Sequence, residues 1–138
     1  MKKNKKHFKY LIPSKRTQLP KVEKITNSIA KKMKLSEEQT DNLSIAVTEA
    51  VGNAIVHGNK ENPRKKVTLV FQLKKNEIDI SVKDEGKGFE PQELSNPLDP
   101  ENIMKESGRG IYILKSLMDE VHFTEGGTKI NFTMNLSH

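Results

Sequence analysis

The spacing of apolar residues changes period several times along this chain, and that succession of periods limits the folds open to it. Phe8, Tyr10 and Ile12 alternate with polar neighbours, which predicts a short strand ended by Pro13 and Ser14. Leu19, Val22, Ile25, Ile29 and Met33 then recur every three or four residues. This is the stripe of an amphipathic helix whose other face carries Lys21, Lys24, Lys31 and Lys32. Pro20 suits its first turn, where a missing N–H costs nothing. Ser36-Glu37-Glu38-Gln39 reads as a capping box that opens a second helix. Leu43, Ala46, Val47, Ala50 and Ala54 supply its buried stripe, and Gly58-Asn59 its stop.

The period then returns to two. Val67, Leu69, Phe71 and Leu73, followed by Ile78, Ile80 and Val82, flank the short link Lys74-Lys75-Asn76 and predict an antiparallel hairpin. Residues 84 to about 107 lack sustained periodicity and hold Gly86, Gly88, Pro91, Pro97 and Pro100, the composition of a lid or binding loop. Ile111, Leu114, Leu117 and Met118 predict a short helix. A last hairpin has Val121 and Phe123 before Gly126-Gly127, and Ile130, Phe132, Met134 and Leu136 after it. Together these elements predict a two-layer α/β (α+β) sandwich with a mixed, largely antiparallel sheet and its helices on one face. Residues 1–138 are read as one domain, a size able to bury a real core.

Composition narrows the function. The chain has no cysteine, so it offers neither disulfides nor thiolate metal sites, and a cytoplasmic protein is the plain reading. No apolar run approaches the ~20 residues of a membrane helix, and no apolar segment of signal-peptide type follows the basic N-terminus. The net charge of +6 is uneven. Residues 1–34 carry 12 Lys/Arg against one acid, Glu23, while residues 35–138 carry 12 against 17. Nothing near the lysine-rich tail of residues 1–6 resembles a helix-turn-helix, a zinc finger or an aromatic RNA-binding strand, so the tail reads as a solvated terminus.

Four short segments carry the chemistry. Glu49, Asn53 and His57 stand at i, i+4 and i+8 and are expected on one helix face. A carboxylate and a carboxamide one turn apart suit a site where Mg²⁺ meets phosphates, the amide oxygen ligating the cation and the carboxylate accepting a proton from a nucleophile. A solvated helix surface carries such pairs just as readily. Asp84-Glu85-Gly86-Lys87-Gly88 follows a predicted strand; Asp84 can accept a hydrogen bond from an amine such as adenine N6, and the glycines let backbone approach a ligand. Ser107-Gly108-Arg109-Gly110-Ile111 leads from the loop into a helix, presenting free N–H groups to phosphate, with Arg109 and Lys105 adding positive charge. Gly126-Gly127-Thr128 precedes the last strand and alone is a hairpin turn.

The order and spacing of these four segments resemble the N, G1, G2 and G3 boxes of the GHKL superfamily of ATPases and kinases, with its Bergerat ATP-binding fold. The strings Thr48-Glu49-Ala50-Val51-Gly52-Asn53-Ala54-Ile55-Val56-His57-Gly58 and Ser107 through Val121 further resemble the bacterial anti-sigma-factor serine/threonine kinases of RsbW and SpoIIAB type. The resemblance implies a homodimer that binds a sigma factor and, with ATP and Mg²⁺, phosphorylates a serine on a small STAS-domain anti-anti-sigma protein. It implies Glu49 as the base and Asn53 as the Mg²⁺ ligand. Asp84 would read the adenine amine, with Gly86 and Gly88 shaping the pocket. Gly108, Arg109 and Gly110 would close on the phosphates, Thr128 would support adenine, and residues from about 90 to 110 would form the lid. Only about 35 residues precede the second helix, too few for the phosphoacceptor helix pair of a sensor histidine kinase.

The rival to a kinase is a non-catalytic ATP-binding module that sequesters its partner. A carboxylate at Glu49 favours the enzyme, since pure binding needs no base there. As for the tail, deleting residues 1–6 is expected to leave nucleic-acid retention in a salt titration unchanged; a steep salt-dependent affinity lost with the tail would reverse that reading.

Overall fold

The computed structural model of the chain describes residues 6–86 and 106–136, and for residues 106–110 the backbone only. Five strands, β1 (His7–Pro13), β2 (Lys66–Leu73), β3 (Glu77–Lys83), β4 (Glu120–Thr124) and β5 (Lys129–Asn135), form one sheet in the order β1-β2-β3-β5-β4. Every pairing is antiparallel, so the mixed alternative expected for the sheet does not occur among the described residues. Among the described residues three helices, α1 (Leu19–Lys32), α2 (Glu37–Asn53) and α3 (Glu106–Leu117), form the second layer, with α2 packed between the other two.

Register turns the alternation of each strand into continuous apolar rows. Phe8, Phe71, Ile80, Phe132 and Val121 are paired in succession across all five strands, and Tyr10, Leu69, Val82, Ile130 and Phe123 form the next row. A one-residue slip would turn either row to the opposite face, so burial of one face fixes the register. Tyr10 meets Phe71 edge-on, with ring centroids 6.3 Å apart and planes at 80°, the arrangement the aromatic quadrupole favours. Val22, Ile29, Leu43, Val47, Val51 and Ile55 close the core from the helical side.

Local signals set the helix ends. Pro20 lies in the first turn of α1. At α2 the Ser36 hydroxyl accepts the Gln39 N–H at 3.1 Å, and the Gln39 side chain accepts the Ser36 N–H at 2.9 Å. This capping box satisfies two of the orphan donors, and Glu37 and Glu38 complement the positive helix end.

The structure departs from the sequence expectation at two places. The second helix is α-helical only to Asn53; Ala54–Gly58 forms a π-turn, closed by the Asn59 N–H bonding the Ala54 carbonyl at 2.8 Å. The last helix begins at Glu106 rather than near Ile111, so Gly108-Arg109-Gly110 lies inside its opening turns instead of in a loop. Glycine breaks apolar periodicity without breaking a helix, which is why the apolar pattern begins later than the helix does.

Phe71, fully buried in the central row, is the most demanding core position. Phe71→Ala is expected to cost about 3–5 kcal/mol in chemical denaturation; a loss under about 1 kcal/mol would contradict the packing described.

Candidate functional site

Helix α2 is amphipathic in a useful sense: its small buried residues Ala46, Ala50 and Ala54 let it lie close on the sheet, while Thr48, Glu49, Gly52 and Asn53 face outward. Those four residues, with Leu19 of α1 and Arg16 just before it, line an open groove of about 420 Å³. Glu49 and Asn53 therefore share one wall, as their spacing predicts. His57 does not line the groove; Val56 takes the corresponding place. Glu49, Gly52, Asn53 and Val56 stand at i, i+3, i+4 and i+7, the spacing of one helix face, while His57 at i+8 falls at the edge of that face and is exposed. At the groove rim Arg16 pairs with Glu61 at 3.3 Å. A Cβ on Gly52 would meet only Leu19, at 3.9 Å, so packing within the chain does not demand glycine there.

The same helical run continues to Gly58 and meets the turn after β3. A side chain on Gly58 would collide with the Asp84 carboxylate, and one on Gly86 with the Gly58 carbonyl and with Asp84. Asp84 thus lies against bare backbone on two sides. From Asn53 to Gly58 the run advances about 7 Å along its axis.

Each backbone N–H from Asp84 to Gly86 is bonded. Asp84 donates to the Thr128 carbonyl at 2.8 Å, Glu85 to Asn59 Oδ1 at 2.7 Å, and Gly86 to Asp84 Oδ1 at 2.7 Å. Thr128, expected at the adenine end, is therefore joined to Asp84 through its carbonyl, while its hydroxyl donates to the Glu125 carbonyl at 2.8 Å. The Gly126-Gly127 turn takes left-handed φ values of 69° and 94°, and Glu125 before it takes 52°. Burial raises the pKa of Asp84 above the usual aspartate range, opposed by the Gly86 N–H and by Lys65.

Asp84, Gly86 and Thr128 thus come together, and Glu49 and Asn53 share a groove. Gly108, Arg109 and Gly110 open α3, where the first four N–H groups have no partner within the helix. Gly88, Lys105 and the body of the expected lid lie outside the described residues. Gly58 and Asn59, read from sequence as a helix stop, and Ser14, read as a strand stop, are parts of the site that the sequence reading missed. Their partners lie far away in sequence, and no local spacing signals such a contact.

Comparison with known proteins follows the same outline. Residues 12–134 match the family model described as the histidine kinase-like ATPase domain. The serine-protein kinase RsbW of Bacillus licheniformis is 34% identical over 119 residues, covering 80% of this chain and 74% of the relative. RsbW of Bacillus subtilis is 28% identical over 127 residues, covering 88% and 79%. RsbW of Staphylococcus aureus (strain Newman) is 34% identical over 104 residues, covering 70% and 65%.

The raised pKa of Asp84 makes a signed prediction. The folded state holds that proton more tightly than the unfolded chain. The ionised carboxylate therefore lowers stability as pH rises from the ordinary aspartate pKa through the raised one, and the cost stays above it. Asp84→Asn is expected to melt a few degrees above the unsubstituted protein at pH 7 without nucleotide, the gap closing toward pH 4. A variant that melts lower at pH 7 would refute this.

Proposed function

The chain belongs to the histidine kinase-like ATPase family, and from that membership we propose that it is an ATP-dependent serine/threonine protein kinase and anti-sigma factor. In this reading it binds a sigma factor and phosphorylates a serine on a STAS-domain anti-anti-sigma protein, working as a cytoplasmic homodimer. The names of the relatives support a serine as acceptor. The observation that carries the reading is the single helical run from Glu49 to Gly58, with the Glu49/Asn53 wall on one part and the Asp84 carboxylate against its end.

The residues suit an adenine nucleotide. Asp84 offers an acceptor for the 6-amino group, and Gly58 and Gly86, having no Cβ, keep its surroundings open on the backbone side. Thr128 anchors that end through its carbonyl, and its hydroxyl oxygen retains acceptor capacity. The opening turn of α3, with Gly108, Arg109 and Gly110, would offer phosphate the N–H groups that have no partner within the helix. Asn53 would hold Mg²⁺ through its amide oxygen, and the cation would neutralise phosphate charge.

Glu49 then acts on the acceptor. It takes the proton of the serine hydroxyl as the oxygen–phosphorus bond forms. The bond from the γ-phosphorus to its bridging oxygen breaks, and ADP leaves with that electron pair. Positioning and charge neutralisation provide most of the rate, so a groove with one well-placed carboxylate suffices. A lid at about residues 90–110, Gly88 and Lys105 flanking the nucleotide, would keep water from the γ-phosphate.

Mixing the protein with candidate STAS proteins, ATP and Mg²⁺ is expected to yield phosphoserine. Glu49→Ala should lower that rate by about 10²- to 10⁴-fold while ADP affinity stays within a few-fold. Undiminished phosphorylation by the variant would remove Glu49 as the base. Nucleotide binding without transfer by the unsubstituted protein would favour the non-catalytic module.

A further inference from the structure

Asn59 is nine-tenths and more buried, at 1% exposure, and lies one residue beyond the π-turn. Its carboxamide makes three hydrogen bonds, one to each of three separate segments. The Nδ2 group donates to Ser14 Oγ at 2.8 Å, beyond the end of β1, and to the Lys66 carbonyl at 3.1 Å, at the start of β2. Oδ1 accepts the Glu85 N–H at 2.7 Å. The orientation of the amide follows from chemistry: the Lys66 carbonyl can only accept, and Ser14 commits its proton to the Lys65 carbonyl at 2.7 Å. The nitrogen must face those two groups, so the oxygen must face Glu85. Glu85 returns the contact, its side-chain Oε2 accepting the Lys66 N–H at 2.5 Å.

We propose that Asn59 is a positioning residue for recognition of the purine 6-amino group, acting through the Glu85 backbone on the Asp84 carboxylate. The inference rests on the reading of Asp84 as the adenine contact. Asp84 is the residue before Glu85, and its own N–H is held by Thr128. With Asn59 on Glu85 and Thr128 on Asp84, two consecutive peptide groups are pinned from opposite sides. Asp84 Oδ1 is committed to Gly86 within the turn, and Oδ2 is the oxygen nearer Gly58. A carboxylate accepts one amine well only when both its position and its rotation are set. A turn free to move would bind the rest of a nucleotide and still lose preference for the amine.

A purely structural strut and a positioning residue predict different results. Calorimetric affinities for ADP and for the diphosphate of purine riboside, which lacks only the 6-amino group, are compared in the full chain. Asp84→Asn is expected to remove the preference for ADP, which tests the adenine reading alone. Asn59→Ala is expected to weaken ADP about tenfold and the purine riboside nucleotide less than twofold. Ser14→Ala removes one anchor of the same amide; it should move the preference in the same direction by about threefold and serves if Asn59→Ala does not fold. Equal weakening of both nucleotides by Asn59→Ala and Ser14→Ala would make Asn59 a strut and overturn the proposal while leaving Asp84 in place. An unchanged preference in Asp84→Asn would overturn the adenine reading and the proposal with it.

Discussion

The contact between α2 and the sheet is the one on which the remaining architecture depends. Ala46, Ala50 and Ala54 give the helix a narrow buried side, and Val47, Val51 and Ile55 fill the space beside them. Small residues at i, i+4 and i+8 bring a helix axis close to what it covers, and larger ones alongside exclude water. Because that side is fully used for packing, the outward residues Thr48, Glu49 and Asn53 are fixed in direction without any bond of their own. The groove is a by-product of the core. α1 and α3 flank α2 and reach the sheet less centrally.

A second constraint sits at the end of this helix, where the α geometry gives way to a π-turn. The turn keeps Val56 on the groove side and brings Gly58 and Asn59 to the end of β3. Extra-wide turns weaken the hydrogen-bond ladder locally and recur at functional sites. Here the irregularity joins two functions: one end of the run provides a groove wall and the other a floor beneath Asp84.

The parts legible in the sequence are those governed by short-range periodicity. Alternation in Val67–Leu73 and Ile78–Val82, the capping box at Ser36 and the glycine turn at Gly126 each involve residues within a few positions of one another, and each fold element stands where they predict. Glu49 and Asn53 were legible as neighbours for the same reason. The π-turn was not, because apolar spacing distinguishes poorly between five-residue and four-residue loops over a single turn. Asn59 is the helix stop that a Gly-Asn pair signals, and its second role, through its side chain, has no such local signature. Its true partners are Ser14, 45 positions earlier, and Glu85, 26 later. Only the folded chain brings those together.

Gly58 and Gly86 are two positions in the sequence but a single steric condition. A methyl at either one enters the volume of the Asp84 carboxylate, and a methyl at 86 also enters the Gly58 carbonyl. Once one side chain has displaced that carboxylate, the second finds the space already disturbed. The two positions are therefore epistatic, the joint loss smaller than the sum of its parts. To a drifting lineage they are nonetheless unequal: Gly58 is released once no side chain need stand at position 84, whereas Gly86 is still held by the backbone carbonyl of residue 58.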